Sequence, residues 1–191
     1  NLAARALLAT IATFVFFEIL PHFPVGVSEV HFILGSTLFL IFGVAPAAFG
    51  LAAGLLIQGL FFAPIDLPQY FMNLTSLLVP LFALSLIAKA AIAPKTAYVD
   101  LSYRQALMLS TSYQAGVVGW VAFWVFYGQG FGAETFASVG LFGMAYMSVI
   151  LLEPLVDLAV LALAKMMRDT PASGLILSLI HISEPTRLHG I

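Results

Sequence analysis

The sequence predicts an all-α, polytopic membrane protein with six transmembrane helices, and three observations lead to that prediction. Only 8% of the 191 residues are charged and 62% are hydrophobic, whereas soluble domains carry about 25% charged residues. The charges are clustered, so that residues 32–65 and 67–88 contain none. Each window reaches the roughly 20 apolar residues that a helix needs to cross a bilayer, and neither shows the alternation of a barrel strand.

The first three helices follow from proline positions and from length. Helix one covers about 3–20 and ends at Pro21, because proline cannot continue a helix interior. As one helix, the apolar stretch 32–64 would be about 50 Å long at 1.5 Å per residue, far more than a hydrocarbon core of roughly 30 Å. It must therefore fold back, and GVAPAAFG at 43–50 is the predicted turn. Helix two is then short.

The last three helices are the clearest apolar segments of the second half. They are predicted at about 69–88, 106–127 and 138–164. Pro80 and Pro154 lie inside two of them, where neighbouring helices in a membrane can compensate for the lost hydrogen bond.

Basic residues predict the orientation. Those of the first 170 positions are Arg5, Lys89, Lys95, Arg104, Lys165 and Arg168. Six alternating spans bring all of them to one side, and lysine and arginine are enriched in cytoplasmic loops. The opposite loops hold Glu29, Asp66 and Glu134 without any basic residue. His31 and Glu29 are therefore predicted to lie at the outer surface.

Composition also excludes several classes of function. A net charge of −2 is too small to indicate a nucleic-acid partner. The absence of cysteine excludes thiolate metal sites and cysteine catalysis. The sequence contains neither a Gly-rich phosphate loop nor GxGxxG, so it carries no recognised nucleotide-binding motif.

The end of the sequence is interpreted as foreign. LSLIHISEPTR at 177–187 resembles the in-frame translation of a sequencing-library adaptor, and residues 171–191 are interpreted as a non-native tail. The functional domain is then 1–170, which contains only two histidines, His22 and His31.

His31 is the strongest candidate functional residue. Neutral imidazole is a common metal ligand, and nickel and cobalt suit nitrogen donors. The alternative is an interfacial histidine that caps a helix or bonds a carbonyl group. His22, in the proline-flanked LPHFP, is interpreted as a structural turn residue.

Four polar or small residues stand out inside the apolar spans. Gln58 and Asn73 are amides, and such residues are either functional or hydrogen-bonded between helices. Gly50 and Gly54 form a GxxxG motif on the helix face that also carries Gln58. This motif predicts close helix packing.

Glu153 and Asp157 also lie four residues apart on one helix face. Two interpretations stay open. They form an ion relay inside the membrane, or they approach the inner interface near Lys165 and Arg168.

Residues 24–62 resemble the core of the CbiM/NikM family, the substrate-capture membrane components of energy-coupling factor transporters for cobalt and nickel. That family shows a Pro-x-Gly-x-Ser-x-Val-His stretch, a Gly-rich turn and a Leu-Leu-x-Gln-(Ala/Gly)-Leu-(Leu/Phe)-Phe helix end. The matching residues are Pro24, Gly26, Ser28, Val30 and His31, then Gly43 to Pro46, then Leu55, Leu56, Gln58, Gly59, Leu60 and Phe62. The resemblance continues through YFMNLTSLLVPLFAL and, more weakly, to about Arg168.

The resemblance implies a Co(II) or Ni(II) substrate held by nitrogen atoms in a nearly planar site. The family's donors are the N-terminal amine, the amide and imidazole of a histidine after the initiator methionine, and a further histidine whose position His31 occupies. Asn73 matches a supporting asparagine of the family, and Glu29, Gln58 and Asp66 complete the supporting set. The loop FFAPIDLPQY, which replaces the usual glycine-rich loop before that asparagine, resembles a cobalt branch and favours cobalt.

The Met-His start is absent from this sequence, which begins with Asn1. Six spans would put Asn1 inside, whereas metal capture needs the amine outside, so we expect seven spans in the intact protein. The resemblance further implies ATPase subunits, a coupling membrane subunit and a small accessory membrane protein as partners in a bacterial inner membrane. It implies no cofactor and no enzyme activity in this chain. Two alternatives remain, a vitamin-binding capture component and an intramembrane enzyme that uses Glu153 and Asp157 as a catalytic pair.

Overall fold

A computed structural model describes residues 2–94 and 96–168, which form a bundle of six α-helices with one short hairpin. The elements are α1 (Leu2–Phe14), β1 (Phe23–Val25), β2 (Ser28–Val30), α2 (Gly35–Phe42), α3 (Val44–Phe61), α4 (Tyr70–Ala91), α5 (Tyr103–Gln129) and α6 (Ala133–Arg168). A π-turn at Val15–Ile19 extends α1, and 3₁₀ turns at Pro64–Gln69 and Tyr98–Asp100 precede α4 and α5. The predicted foreign tail at 171–191 and Lys95 lie outside the described residues.

The predicted all-α polytopic fold is confirmed, with helix bounds within a few residues of those expected. Within the described part of the chain, four helical segments are long and apolar enough to cross a membrane. They are Leu2–Ile19, Val44–Phe61, Pro64–Ala91 and Ala133–Met166. The count of six spans stays a prediction, because α2 has only 8 residues and α5, although 27 residues long, carries more polar side chains.

The long apolar stretch folds back at Gly43. This residue has φ +86°, a left-handed conformation that glycine adopts without steric cost. Its N–H donates to the carbonyl of Phe39 at 2.8 Å and ends α2. The prediction of a turn within 43–50 placed the fold-back correctly, but the turn takes a single residue. Pro46 lies in the first turn of α3, where no intrahelical donor is lost.

Helices α1 and α3 pack closely through the two glycines of the GxxxG motif. A Cβ atom added to Gly50 would lie 2.5 Å from Cβ of Ala9, and one added to Gly54 would lie 2.6 Å from Cβ of Thr13. Ala9 and Thr13 are fully buried and, like the glycines, are four residues apart. The glycine face therefore meets a helix of the same chain.

The hairpin of β1 and β2 was not expected from the sequence. The strands pair antiparallel, with Phe23 opposite Val30 and Val25 opposite Ser28. Gly26 has φ +62° in the two-residue turn, a position where tight hairpins favour glycine. A Cβ on Gly26 would lie 2.8 Å from the Ser138 carbonyl oxygen of α6, so this glycine also lets the hairpin pack on that helix.

The short helix α2 lies at the centre of the bundle and contacts all five other helices. Six of its eight residues are buried. Its two ends need hydrogen-bond partners from elsewhere, because backbone groups inside a membrane have no water to pair with. At its C-terminal end the Arg5 guanidinium donates to the Phe42 carbonyl. Since the segment from His31 leads directly into α2, the position of this helix sets the position of the predicted metal ligand.

Candidate functional site

A cavity of about 320 Å³ lies between the hairpin and helices α3 to α6. Its lining includes all five side chains expected to bind or support a metal, which are His31, Glu29, Gln58, Asp66 and Asn73. They come from the hairpin, the end of α3, the 3₁₀ turn after it and the first turn of α4. The fold thus brings together polar groups that are spread over more than forty positions of the sequence.

His31 follows β2 directly, and its ring is held between two other rings. The centroid of the Phe17 ring lies 4.9 Å from that of His31. The His22 ring stacks on the His31 ring, with 5.2 Å between the centroids and 28° between the planes. The His31 side chain is 14% exposed. Packing therefore restricts the orientation of the imidazole.

The contact with Glu29 indicates which ring nitrogen of His31 carries the proton. Its Oε2 lies 3.1 Å from Nε2 of His31, so Nε2–H donates to the carboxylate and Nδ1 keeps its lone pair. Nδ1 is buried and has no hydrogen-bond partner among the described residues. A carboxylate on one ring nitrogen and a free lone pair on the other is the usual arrangement of a metal-binding histidine.

The imidazole is neutral at physiological pH. Burial, and secondly the neighbouring His22, lower the pKa of His31 from 6.5 to about 4. The Glu29 side chain is 44% exposed, so solvent screens its opposing effect. A proton does not compete for the free nitrogen at pH 7, which leaves that nitrogen available as a ligand.

The other expected residues differ in depth. Gln58 is buried, with 7% of its surface exposed, whereas Asn73 and Asp66 are partly exposed to the cavity. In residues 2–94 and 96–168, no three His, Asp or Glu side chains lie close enough together to hold a metal ion. A planar site of four nitrogen donors would need donors beyond these side chains.

His22 lies closer to the site than the sequence analysis expected. It was interpreted as a turn residue, and its Nδ1 does lie 3.3 Å from the Leu20 carbonyl oxygen. Yet the pairing of Phe23 with Val30 puts His22 opposite His31 one step further along the hairpin. The sequence did contain a signal for this pairing, because the glycine that forms the two-residue turn lies midway between the two histidines.

Glu153 and Asp157 lie inside the helix bundle. Both are buried, with 0% and 3% exposure, and their carboxylates face the N-terminal end of α2. Their oxygens accept hydrogen bonds from the segment that follows His31. Both interpretations, an ion relay and a pair near the inner interface, stay predictions.

The fold and the cavity define a multi-pass membrane protein with a histidine and four other polar side chains around a cavity between its helices. This is the arrangement expected of a membrane component that selects a small substrate. The chain belongs to the CbiM family, because the family model described as cobalt uptake substrate-specific transmembrane region matches residues 2–170. The resemblance drawn from the motifs is thereby confirmed. Comparison with curated proteins and with solved structures gives no match.

Membership gives the chain a role in transport. It is a substrate-specific transmembrane component for the uptake of cobalt or nickel. It is a multi-pass membrane protein, and the bacterial inner membrane is its expected setting.

Proposed function

We propose that this chain captures Co(II) at the outer face of the membrane and passes it to an energy-coupling factor transporter, with His31 as a metal ligand. The observation that carries the proposal is the buried, unpaired Nδ1 of His31, a residue that lines the cavity. In a family of cobalt uptake components, an unpaired imidazole nitrogen is the group best suited to bind the substrate.

The remaining cavity residues are proposed to support this ligand. Glu29 holds the ring tautomer, and Gln58, Asp66 and Asn73 offer oxygen atoms that can bind the water shell of an arriving ion. A cavity of about 320 Å³ has room for a hydrated ion, since one water occupies about 30 Å³ of liquid volume. A chain with a Met-His start ahead of Asn1 would supply further nitrogen donors.

Cobalt is proposed ahead of nickel. Imidazole nitrogen suits both ions, and intrinsic affinity rises from cobalt to nickel, so selection must come from geometry and supply. The description of the family and the loop at 61–70 both favour cobalt. The family match also favours a metal over the vitamin alternative. The enzyme alternative loses support because the oxygens of Glu153 and Asp157 already accept hydrogen bonds from α2 and the residues before it.

Titration of the purified full-length protein with Co(II) tests the proposal. His31→Ala is expected to lower the affinity by several orders of magnitude, because water must replace a nitrogen donor. His22→Phe is the matched control, since it keeps a ring stacked on His31 but removes the second imidazole of the hairpin. Equal affinity in the His31→Ala variant and the wild type would remove His31 from the site. A chain that starts at Asn1 is expected to bind weakly.

A further inference from the structure

The backbone just after His31 adopts an unfavourable conformation. Leu34 has φ +49°, and among the described residues it is the one non-glycine residue with positive φ. It precedes α2 as the N-cap, yet its side chain offers no capping hydrogen bond. Non-glycine residues with left-handed dihedrals persist only where surrounding contacts hold them. The contacts that hold Leu34 come from α6.

Glu153 accepts hydrogen bonds from the two backbone N–H groups just before α2. Its Oε2 accepts a hydrogen bond from the Ile33 N–H at 3.2 Å, and its Oε1 accepts one from the Leu34 N–H at 2.5 Å. Both donors are buried backbone groups that would otherwise be unpaired.

Asp157, one helical turn further along α6, holds the first turn of α2. Its Oδ2 accepts a hydrogen bond from Ser36 Oγ at 2.5 Å, and its Oδ1 accepts one from Thr37 Oγ1. We call Glu153 and Asp157 together the carboxylate clasp. Each of its four oxygens accepts a donor from the segment 33–37.

No cation pairs with the clasp in the described part of the chain. The guanidinium of Arg5 lies at the other end of α2, and Lys165 donates to the Leu101 carbonyl at 2.6 Å. From α5, Ser110 and Gln114 face the two carboxylates. The clasp is thus a set of hydrogen bonds between α6 and the segment after His31, more than a hundred positions away in the sequence.

We propose that Glu153 and Asp157 are positioning residues for the metal site: by holding residues 33–37, they hold His31 against the wall of the cavity. The inference rests on the proposed function, because His31 is the ligand being positioned. The same helix carries Phe142 and Tyr146, which line the cavity, so α6 contributes both to the wall and to the placement of the ligand.

The two carboxylates differ in the chemistry of their partners, and this makes the proposal testable. The partners of Glu153 are backbone N–H groups, which only donate. A glutamine there offers one oxygen and opposes the second N–H with its own NH₂ group. The partners of Asp157 are hydroxyl groups, which can also accept, so an asparagine at that position can still be paired.

The experiment compares full-length wild type, Glu153→Gln and Asp157→Asn, each reconstituted in lipid nanodiscs. Titration with Co(II) gives the affinity, and modification of His31 by diethyl pyrocarbonate without metal, followed by mass spectrometry, gives the exposure of its ring. Glu153→Gln is expected to weaken Co(II) binding by about 10- to 100-fold, the effect of a lost supporting residue, and to speed modification of His31. Asp157→Asn, whose amide can still pair with both hydroxyl groups, is expected to change both in the same direction but less than Glu153→Gln.

The readouts separate the possible failures. Loss of thermal stability with an unchanged rate of His31 modification would indicate a purely structural role and overturn the proposal. If the wild type binds no Co(II), or binds it independently of His31, the proposed function fails. The metal-free modification rate still tests the clasp in that case. Should Glu153→Gln not fold, Glu153→Asp keeps the charge but shortens the reach. An unchanged rate of His31 modification in Glu153→Asp would also overturn the proposal.

Discussion

Glu29 and His31 form a pair in which the carboxylate decides what the imidazole can bind. The 3.1 Å contact between Oε2 and Nε2 keeps the proton on one nitrogen and leaves the other free. Without that acceptor, the neutral ring is free to move its proton to Nδ1, which then no longer binds metal. The supporting role of Glu29 thus follows from the hydrogen bond and does not require direct contact with the ion.

At this residue scale, we expect Glu29→Ala to weaken Co(II) binding by about 10- to 100-fold, as loss of an outer-shell partner usually does. Glu29→Gln keeps an oxygen that accepts from Nε2–H and should stay close to wild type. Titration of both variants with Co(II) checks this. Glu134→Ala is the control, because Glu134 lies outside the residues that line the cavity. If Glu29→Ala binds Co(II) as tightly as the wild type, the Glu29 carboxylate has no part in metal binding.

Among the helices, the contact between α1 and α3 depends on the absence of side chains. Gly50 and Gly54 let the two backbones approach, and association in lipid relies on such close packing because there is no hydrophobic driving force between helices. The Gln58 side chain, on the same face, is buried. Because this contact lies within the chain, we expect substitution of either glycine to affect folding and not the binding of a partner subunit.

The matching prediction at the element scale concerns Gly54→Leu. The new side chain would meet Cβ of Thr13 at 2.6 Å and the Thr10 carbonyl oxygen at 3.0 Å, and overpacking of this kind costs about 1–3 kcal/mol. We expect a lower thermal midpoint and a smaller monodisperse fraction after purification. Gly119→Leu is the matched control, since nothing lies within 4 Å of a Cβ at that glycine. A Gly54→Leu variant as stable as the control would show that the packing is not tight.

For the whole molecule, the proposed function includes partner subunits in transport. We propose that the energy comes from partner ATPase subunits through a coupling membrane subunit, as the resemblance to the family implies. We expect the purified full-length protein in liposomes to show no ATP-dependent uptake of radioactive cobalt. Addition of the ATPase and coupling subunits should restore uptake, and His31→Ala should abolish it in the complete assembly. Strong ATP-dependent uptake by the chain alone would refute the proposed division of labour.

The sequence by itself determined the membrane class, the approximate helix bounds and the fold-back near Gly43. These features depend on local signals, namely the length of apolar runs and the backbone limits of glycine and proline. It also singled out His31 and four supporting residues, whose roles stay predictions, and all five line one cavity in the structure.

Only the tertiary structure decided what surrounds those residues. The stacking of His22 on His31 depends on the register of a hairpin whose strands are three residues long, too short to give a periodic signal. The contact of Gly50 with Ala9 and that of Glu153 with Leu34 join segments far apart in the chain. Such pairings are set by how the helices pack, because no local pattern in one helix specifies which other helix it will meet.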